Sequence, residues 1–421
     1  MNPQAHHCFL ADDLSGALEV GAVFHGQNRP VRISLRPGPL PEWETGTVLG
    51  FDVDSRAKTS SDAYQSVFEL AKTLRKEGHP IILKKIDSTM RGWIGQEIQA
   101  VLDSECADAV ALCPTHPAVG RTVKDGVLLV EGVPVHQTAF KHDPAFPIRC
   151  SRVDEITRAQ TDASLRHCPL QVVRSSGASL TAWIAETMDS GISILGFDAI
   201  TEQDLDSIAQ ATLASGSRIL PCGSGAMAAA VGRVLNPRTN GGSGAPEKQS
   251  SIGRKRTAFL IGSAHPSSLA QFENLLRARP LTVFRFDPNN PASWSDTLQT
   301  SIQVQKDGVI ALLPETQGNE KRLAETAEGI QEFFHRFAKT TPPEELPQNW
   351  FITGGETART IIDALSLEYL DIVDELDPGV GVAVSTTPDP IQSDSNHTLI
   401  TKPGGFGHPY TLINCYDYFS I

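Results

Sequence analysis

The sequence predicts an α/β protein of two domains, each built around a largely parallel or mixed sheet flanked by helices. Three observations carry that prediction. Short apolar runs alternate with amphipathic stretches along most of the chain, the signature of βαβ units. The alternation breaks at Asn236–Arg256, NPRTNGGSGAPEKQSSIGRKR, which has Gly, Ser, Pro and charge but no apolar periodicity and reads as a linker. Finally, 421 residues exceed what one hydrophobic core usually serves. The expected division is a domain over 1–235, a linker over 236–256 and a domain over 257–421.

In chain order, the apolar runs place strands at Cys8–Ala11, Val48–Asp52, Ile81–Lys85, Ala109–Cys113, Ile192–Phe197 and Arg218–Pro221. Helical periodicity fills the gaps at Gly16–His25, Asp62–Glu77, Trp93–Leu102, Leu180–Met188, Gln203–Ala214 and Ala226–Leu235. Val127–Val133, with Glu131-Gly132 inside it, reads as an inserted hairpin. After the linker come strands at Ala258–Ile261, Leu281–Phe286, Val309–Leu313 and Trp350–Ile352, with helices at Ser267–Ala278, Arg322–Phe337 and Glu356–Leu365. Val380–Ser385 and Thr398–Lys402 close the pattern as strands with little helix between them.

A net charge of −13 argues against a nucleic-acid surface, which needs a field of Lys and Arg. No apolar run approaches the roughly 18 residues of a membrane span, and MNPQAHHCFLADD lacks the pattern of a signal peptide. Seven scattered cysteines without C-x-x-C point to free thiols and a cytoplasmic protein. Neither Cys nor His shows ligand spacing, so no protein-held metal site is expected.

Chemistry concentrates where predicted strands end. IILKKIDSTMRG (Ile81–Gly92) runs from buried strand into Lys84, Lys85, Asp87, Ser88, Thr89 and Arg91. In an open α/β sheet such an end is where ligands bind. Cations suit a carboxylate, while the hydroxyls and Asp87 suit the OH groups of a small polyhydroxylated anion. The first strand ends in Asp12-Asp13, of which Asp13 also suits helix N-capping. The second ends in Asp52, Asp54, Ser55 and Arg56, and the fourth leads through Pro114-Thr115-His116-Pro117 to Gly120-Arg121.

In the second half the strand ends become glycine-rich: Gly262-Ser263, Thr353-Gly354-Gly355-Glu356-Thr357, and Lys402-Pro403-Gly404-Gly405-Phe406-Gly407. Gly223-Ser224-Gly225 adds another before the linker. Glycines at a helix N-terminus let backbone N–H groups reach a phosphate, so the set points to a nucleotide. Neither the Walker pattern nor G-x-G-x-x-G is present.

Taken in order, ADDLSGA (Ala11–Ala17), DSR (Asp54–Arg56), KKIDSTMRG (Lys84–Gly92), Pro114…Gly120-Arg121, Asp198-Ala199, Gly223-Ser224, Gly262-Ser263, TGGETA (Thr353–Ala358), PGV (Pro378–Val380) and KPGGFG (Lys402–Gly407) resemble the motif series of the four-carbon acid sugar kinases. Ser15, Met90, His116, His265 and the tail after Gly407 depart from the usual pattern. The resemblance implies a sugar-acid-binding N-terminal domain, an ATP-binding C-terminal domain and phosphorylation of a terminal hydroxyl. Asp12 or Asp87 would orient the attacking hydroxyl. Lys84, Arg91 and Arg56 would hold the acid or meet the γ-phosphate, with Asp13, Lys85, Ser88 and Arg121 completing the acid site. Ser263, Thr353, Gly354, Gly355, Glu356, Thr357, Gly404 and Gly405 would line the nucleotide site. Mg²⁺ would be held largely by phosphate and water. The expected partners are a sugar acid and ATP/ADP, without nucleic acid or membrane, and a homodimer is left open. Two other readings are a kinase for another small hydroxy-acid and a catalytically inactive, nucleotide-regulated sugar-acid-binding protein.

Overall fold

The computed structural model describes residues 6–36, 38, 44, 46–143, 145–236, 255–305, 308–315, 323–386 and 396–419. Contacts divide the chain into two compact units, Met1–Asn240 and Gly241–Ile421. Residues 237–254 of the expected linker lie outside the described residues.

The first unit begins with β1 (Cys8–Ala11), α1 (Leu14–His25), β2 (Val31–Ser34), β3 (Val48–Asp52), α2 (Ser60–Glu77), β4 (Ile81–Lys85), α3 (Ile94–Asp103) and β5 (Ala109–Cys113). A meander of β6 (Arg121–Lys124), β7 (Val127–Val130) and β8 (Val133–Pro134) follows. The unit continues with α4 (Val153–Arg158), β9 (Leu165–Cys168), α5 (Leu170–Val173), α6 (Gly177–Asp189), β10 (Ile194–Phe197), α7 (Glu202–Ala214), β11 (Ile219–Gly223) and α8 (Gly225–Leu235). Its main sheet has the order β2-β3-β1-β4-β11-β5-β10-β9, with each pair parallel. Strands β1, β3 and β5 are buried along their whole length, as continuous apolar runs in a parallel sheet should be.

Local chemistry sets the helix limits. Thr59 caps α2 by accepting from the Asp62 amide, and Gly78, at φ 80°, closes it in the left-handed region. Thr201 and Asp204 form a reciprocal capping box at α7. The expected hairpin is present as β7–β8, and Arg121–Lys124 pairs with it as a third strand.

The second unit contains β12 (Thr257–Ile261), α9 (Pro266–Ala278), β13 (Thr282–Phe286), α10 (Trp294–Val304), β14 (Val309–Pro314), α11 (Leu323–Thr340), β15 (Asn349–Thr353), α12 (Gly355–Ala364), β16 (Tyr369–Asp377), β17 (Val380–Thr386), β18 (Thr398–Lys402) and α13 (Thr411–Phe419). The sheet order is β13-β14-β12-β15-β18-β17-β16, parallel except where β17 meets β16 and β18.

The order β2-β3-β1-β4 of the first unit recurs as β13-β14-β12-β15 in the second. In both, the chain leaves the first strand toward one side and later returns to its other side. That makes β1/β4 and β12/β15 topological switch points, where a crevice opens at the carboxyl ends of the strands. The charged strand ends of the first unit and the glycine-rich ends of the second fall at these two places. No helix among the described residues is long and apolar enough to cross a membrane.

Candidate functional site

At the first switch point, Asp12 follows the last residue of β1 with its side chain 1 % exposed. Arg56, on the loop after β3, donates to Asp12 Oδ2 from Nη2 at 2.6 Å and from Nε at 3.1 Å. Its Nη1 donates to Asp13 Oδ2 at 2.9 Å. Asp13 Oδ1 accepts from the Gly16 amide at 2.8 Å, so Asp13 is the N-cap of α1. Asp12 Oδ1 is buried and has no donor among the described residues. Burial pushes the Asp12 carboxyl up, but Arg56, Lys85 and Lys84 outweigh it and hold it below the ordinary carboxylate value.

The two lysines that end β4 are both paired with carboxylates. Lys84 forms an ion pair with Glu97 of α3 and donates to the Lys85 carbonyl at 2.9 Å. Ser55 donates to the other Glu97 oxygen at 2.7 Å. Burial, opposed by Lys84, leaves the Glu97 carboxyl above its usual range. Lys85 meets Glu19 of α1 at 3.2 Å, and His116 Nε2 meets the second Glu19 oxygen at 3.0 Å. Despite burial, Lys85 and His116 bring Glu19 down to about 2.

Farther along the same loop, Arg91 grips Asp87 through Nε at 2.8 Å and Nη2 at 3.1 Å. Its backbone N–H and the Thr89 hydroxyl donate to the same carboxylate. Burial opposes ionisation of Asp87, but Arg91 and Arg56 dominate and hold it far below the ordinary carboxylate range. Arg91 Nη1 donates to Asp143 at 2.9 Å. The turn that makes this possible puts Met90 at φ 65° and Gly92 at φ 102°, with the Met90 side chain anchored in the core. The Ser88 hydroxyl makes no hydrogen bond among the described residues. Arg121, at the start of β6, donates to the Val119 carbonyl, and its buried Nε has no acceptor among the described residues. Phe140 presents its ring to both guanidinium groups, 5.2 Å from Arg91 and 6.0 Å from Arg121. Asp198, part of the motif series, accepts from three backbone amides and from His167, which makes it a structural clamp.

In the second unit, β12, β15 and β18 end level, with Ile261 opposite Thr353 and Thr353 opposite Lys402. The Ser263 amide donates to Thr353 Oγ1 at 3.2 Å, and the Gly354 amide to the Lys402 carbonyl at 3.0 Å. Gly354, at φ 97°, precedes Gly355 and Glu356 in the first turn of α12, whose N-terminus has no side-chain cap. A Cβ at Gly404 would lie 2.3 Å from Ser263 Oγ, and one at Gly405 would lie 3.3 Å from His265 Nε2. Thr357 Oγ1 would be 2.0 Å from a Cβ at Gly262. Glycines keep this corner open for backbone approach, and an uncapped helix start is a ready anion seat. Lys402 shapes it from below: the buried ammonium donates to Ser268 Oγ and to the carbonyls of Pro403, Gly404 and Phe406 at 3.0–3.1 Å. Burial lowers its pKa to about 8.

The structure therefore brings Asp12, Asp13 and Arg56 into one contact set, Asp87 and Arg91 into another, and Ser263, Thr353, Gly354, Thr357 and Gly404 into a third. Sequence reasoning missed Glu97, Glu19, Asp143 and Phe140. Glu97 alone left a signal, as a carboxylate on the apolar face of a predicted helix with Ile94 and Ile98.

Residues 7–231 match a family described as a sugar-binding N-terminal domain, and residues 258–412 one described as a nucleotide-binding C-terminal domain. A D-threonate kinase of Salmonella typhimurium is 30% identical over 97% of each chain. A D-erythronate kinase of Heliobacterium modesticaldum is 25% identical, over 97% of this chain and 96% of that one. A 3-oxo-tetronate kinase of Pseudomonas fluorescens is also 25% identical, over 96% and 95%. Solved structures of a Salmonella typhimurium and a Haemophilus influenzae protein share the fold, with TM-scores of 0.80 and 0.76 at 18% and 19% identity. They cover 97% and 98% of this chain and 98% and 100% of their own.

Proposed function

The chain belongs to the four-carbon acid sugar kinase family, and from that premise we propose that it transfers the γ-phosphate of MgATP to the terminal (4-) hydroxyl of D-threonate, D-erythronate or 3-oxo-tetronate. The observation that carries this reading is the state of Asp12: one carboxylate oxygen is fixed by Arg56, and the other is a buried acceptor with no donor among the described residues. A substrate hydroxyl supplies the missing donor. As its oxygen bonds to the γ-phosphorus and the bond to ADP breaks, its proton passes to Asp12 Oδ1. The depressed pKa of Asp12 makes it a weak base, so its main work is orientation, as suits a loose phosphoryl-transfer transition state.

The first unit takes the acid and the second the nucleotide. Backbone N–H groups at Gly354–Glu356 face the phosphates, and the glycines at 404 and 405 admit them closely. No three His, Cys, Asp or Glu side chains converge on a metal position among the described residues. In this reading Mg²⁺ comes with its nucleotide, held largely by phosphate and water. The seven free cysteines suit a reducing cytoplasm. A coupled ADP-release assay over the three acids tests the reading: ADP formation dependent on one of them is expected, and none with any of the three would sink it.

A further inference from the structure

Five of the first unit's cations belong to the acid site expected from the sequence: Arg56, Lys84, Lys85, Arg91 and Arg121. Four are already matched with carboxylates, Arg56 with Asp12 and Asp13, Lys84 with Glu97, Lys85 with Glu19, and Arg91 with Asp87 and Asp143. Arg121 is the exception. Among the described residues it touches no carboxylate; its Nη1 meets a backbone carbonyl, and its Nε is a buried donor without an acceptor. A buried donor left unmatched destabilises the fold unless a ligand satisfies it.

We propose that Arg121 is the seat of the substrate's carboxylate and that Phe140 is the residue that positions it. The proposal deepens the kinase reading and rests on it for the identity of the acid. Phe140 lies in the short helical turn Ala139–His142, beyond the meander that begins with Arg121. Its ring faces Arg121 and Arg91 together, which helps to hold the two like-charged guanidinium groups near one site, where the Asp87 carboxylate attracts both. Asp143, one residue after that turn, ties down Arg91 and leaves Arg121 as the group with bonding capacity to spare. Beside Glu97 Oε2, which faces the Lys84 ammonium, and His116 Nδ1, the unmatched buried atoms of the site are a donor at Arg121 and an acceptor at Asp12. A hydroxy-acid satisfies both, with its carboxylate at one and a hydroxyl at the other. A neutral polyol satisfies only the second, so Arg121 selects acids over polyols.

The test is direct binding by calorimetry of D-threonate, D-erythronate, 3-oxo-tetronate and the neutral polyols threitol and erythritol, alongside turnover. The full-length wild type, Arg121→Gln, Phe140→Leu and Phe140→Tyr are compared. Loss of one charge-assisted contact weakens binding about ten- to a hundredfold. Arg121→Gln should show that loss for the acid, with ATP affinity kept. Phe140→Leu should lose part of it, and Phe140→Tyr should restore it. Wild-type acid affinity in Arg121→Gln, equal binding of acid and polyol by the wild type, or no acid binding at all overturns the proposal. If an acid is bound through Arg121 but not phosphorylated, the kinase reading fails and the seat stands. If Arg121→Gln turns over the acid with unchanged affinity, the seat fails and the kinase reading stands.

Discussion

Lys84 and Glu97 form an ion pair in which each side chain is only 1 % exposed. It lies one strand away from Asp12, because β4 runs beside β1 with Lys84 opposite Leu10 and Lys85 opposite Ala11. Ser55 donates to Glu97 and to the Asp12 carbonyl, at 2.7 and 3.4 Å, tying the end of β3 to the same pair. Three strand ends are thus cross-linked beneath Asp12 by buried charge. Such a pair fixes geometry more reliably than it adds stability, since desolvation offsets most of the Coulombic gain.

Breaking the pair from one side should therefore be costly. Glu97→Ala leaves the Lys84 ammonium buried without its counter-charge, and we expect a loss of about 3–5 kcal/mol in denaturant unfolding. The double variant Lys84→Met/Glu97→Leu should recover much of that loss while activity stays low. A single variant as stable as the wild type would mean that the pair is hydrated and unimportant.

Glu19 sets an acid limit to stability. Its folded pKa is depressed to about 2 from 4.5, so the unfolded chain binds more protons between those values. The contribution is present above pH 4.5 and is lost as pH falls toward 2. Its size is roughly 3 kcal/mol. Glu19→Gln should lower Tm most at pH 5–7, with the gap to wild type closing as pH falls below about 4. A gap independent of pH would count against the Lys85–Glu19–His116 linkage as its source.

The nucleotide corner is tested at Gly404. An added methyl would sit 2.3 Å from Ser263 Oγ and 3.2 Å from His265 Cβ, so the loop must move away from Ser263. Loss of one amide contact to a charged phosphate is worth about ten- to a hundredfold in affinity. Gly404→Ala should raise KM for ATP by that factor and leave KM for the acid nearly unchanged. Equal changes in both constants would show a general loss of folding instead.

The strands most legible in the sequence were those buried on both faces. Cys8–Ala11, Val48–Asp52 and Ala109–Cys113 are continuous apolar runs, and the structure gives them the bounds read from the sequence. Val31–Ser34 alternates buried and half-buried residues, and Leu165–Cys168 is an edge strand with Arg and His in its middle, so neither stood out. Tyr369–Asp377 carries four acidic residues and was hidden for the same reason. At the site, polar residues after apolar runs could be read as candidates, but their pairing could not. That Arg56 bridges Asp12 and Asp13 follows from β3 lying beside β1, a fact of topology. Phe140 left no trace, because its value depends on two arginines brought to its ring from elsewhere in the chain.

The last prediction separates orientation from affinity at Asp12. Asn at this position keeps the size and one acceptor oxygen but removes the charge that balances Arg56. If Asp12 Oδ1 receives the proton of the attacking hydroxyl, its contribution grows toward the transition state and exceeds its share of ground-state binding. Asp12→Asn should then reduce kcat by ~10²–10⁴-fold, the usual worth of a positioned acid–base group, with the dissociation constant of the acid changed only slightly. Because Asp12 is buried against Arg56, unfolding must be followed alongside to separate lost catalysis from lost structure. A variant that keeps its kcat and loses affinity would make Asp12 a hydroxyl anchor. Asp87 would be a weak replacement as the base, since Arg91 and Thr89 already occupy its carboxylate. The proton would then have to leave through the phosphate itself, and kcat should show no dependence on any carboxylate of the first unit.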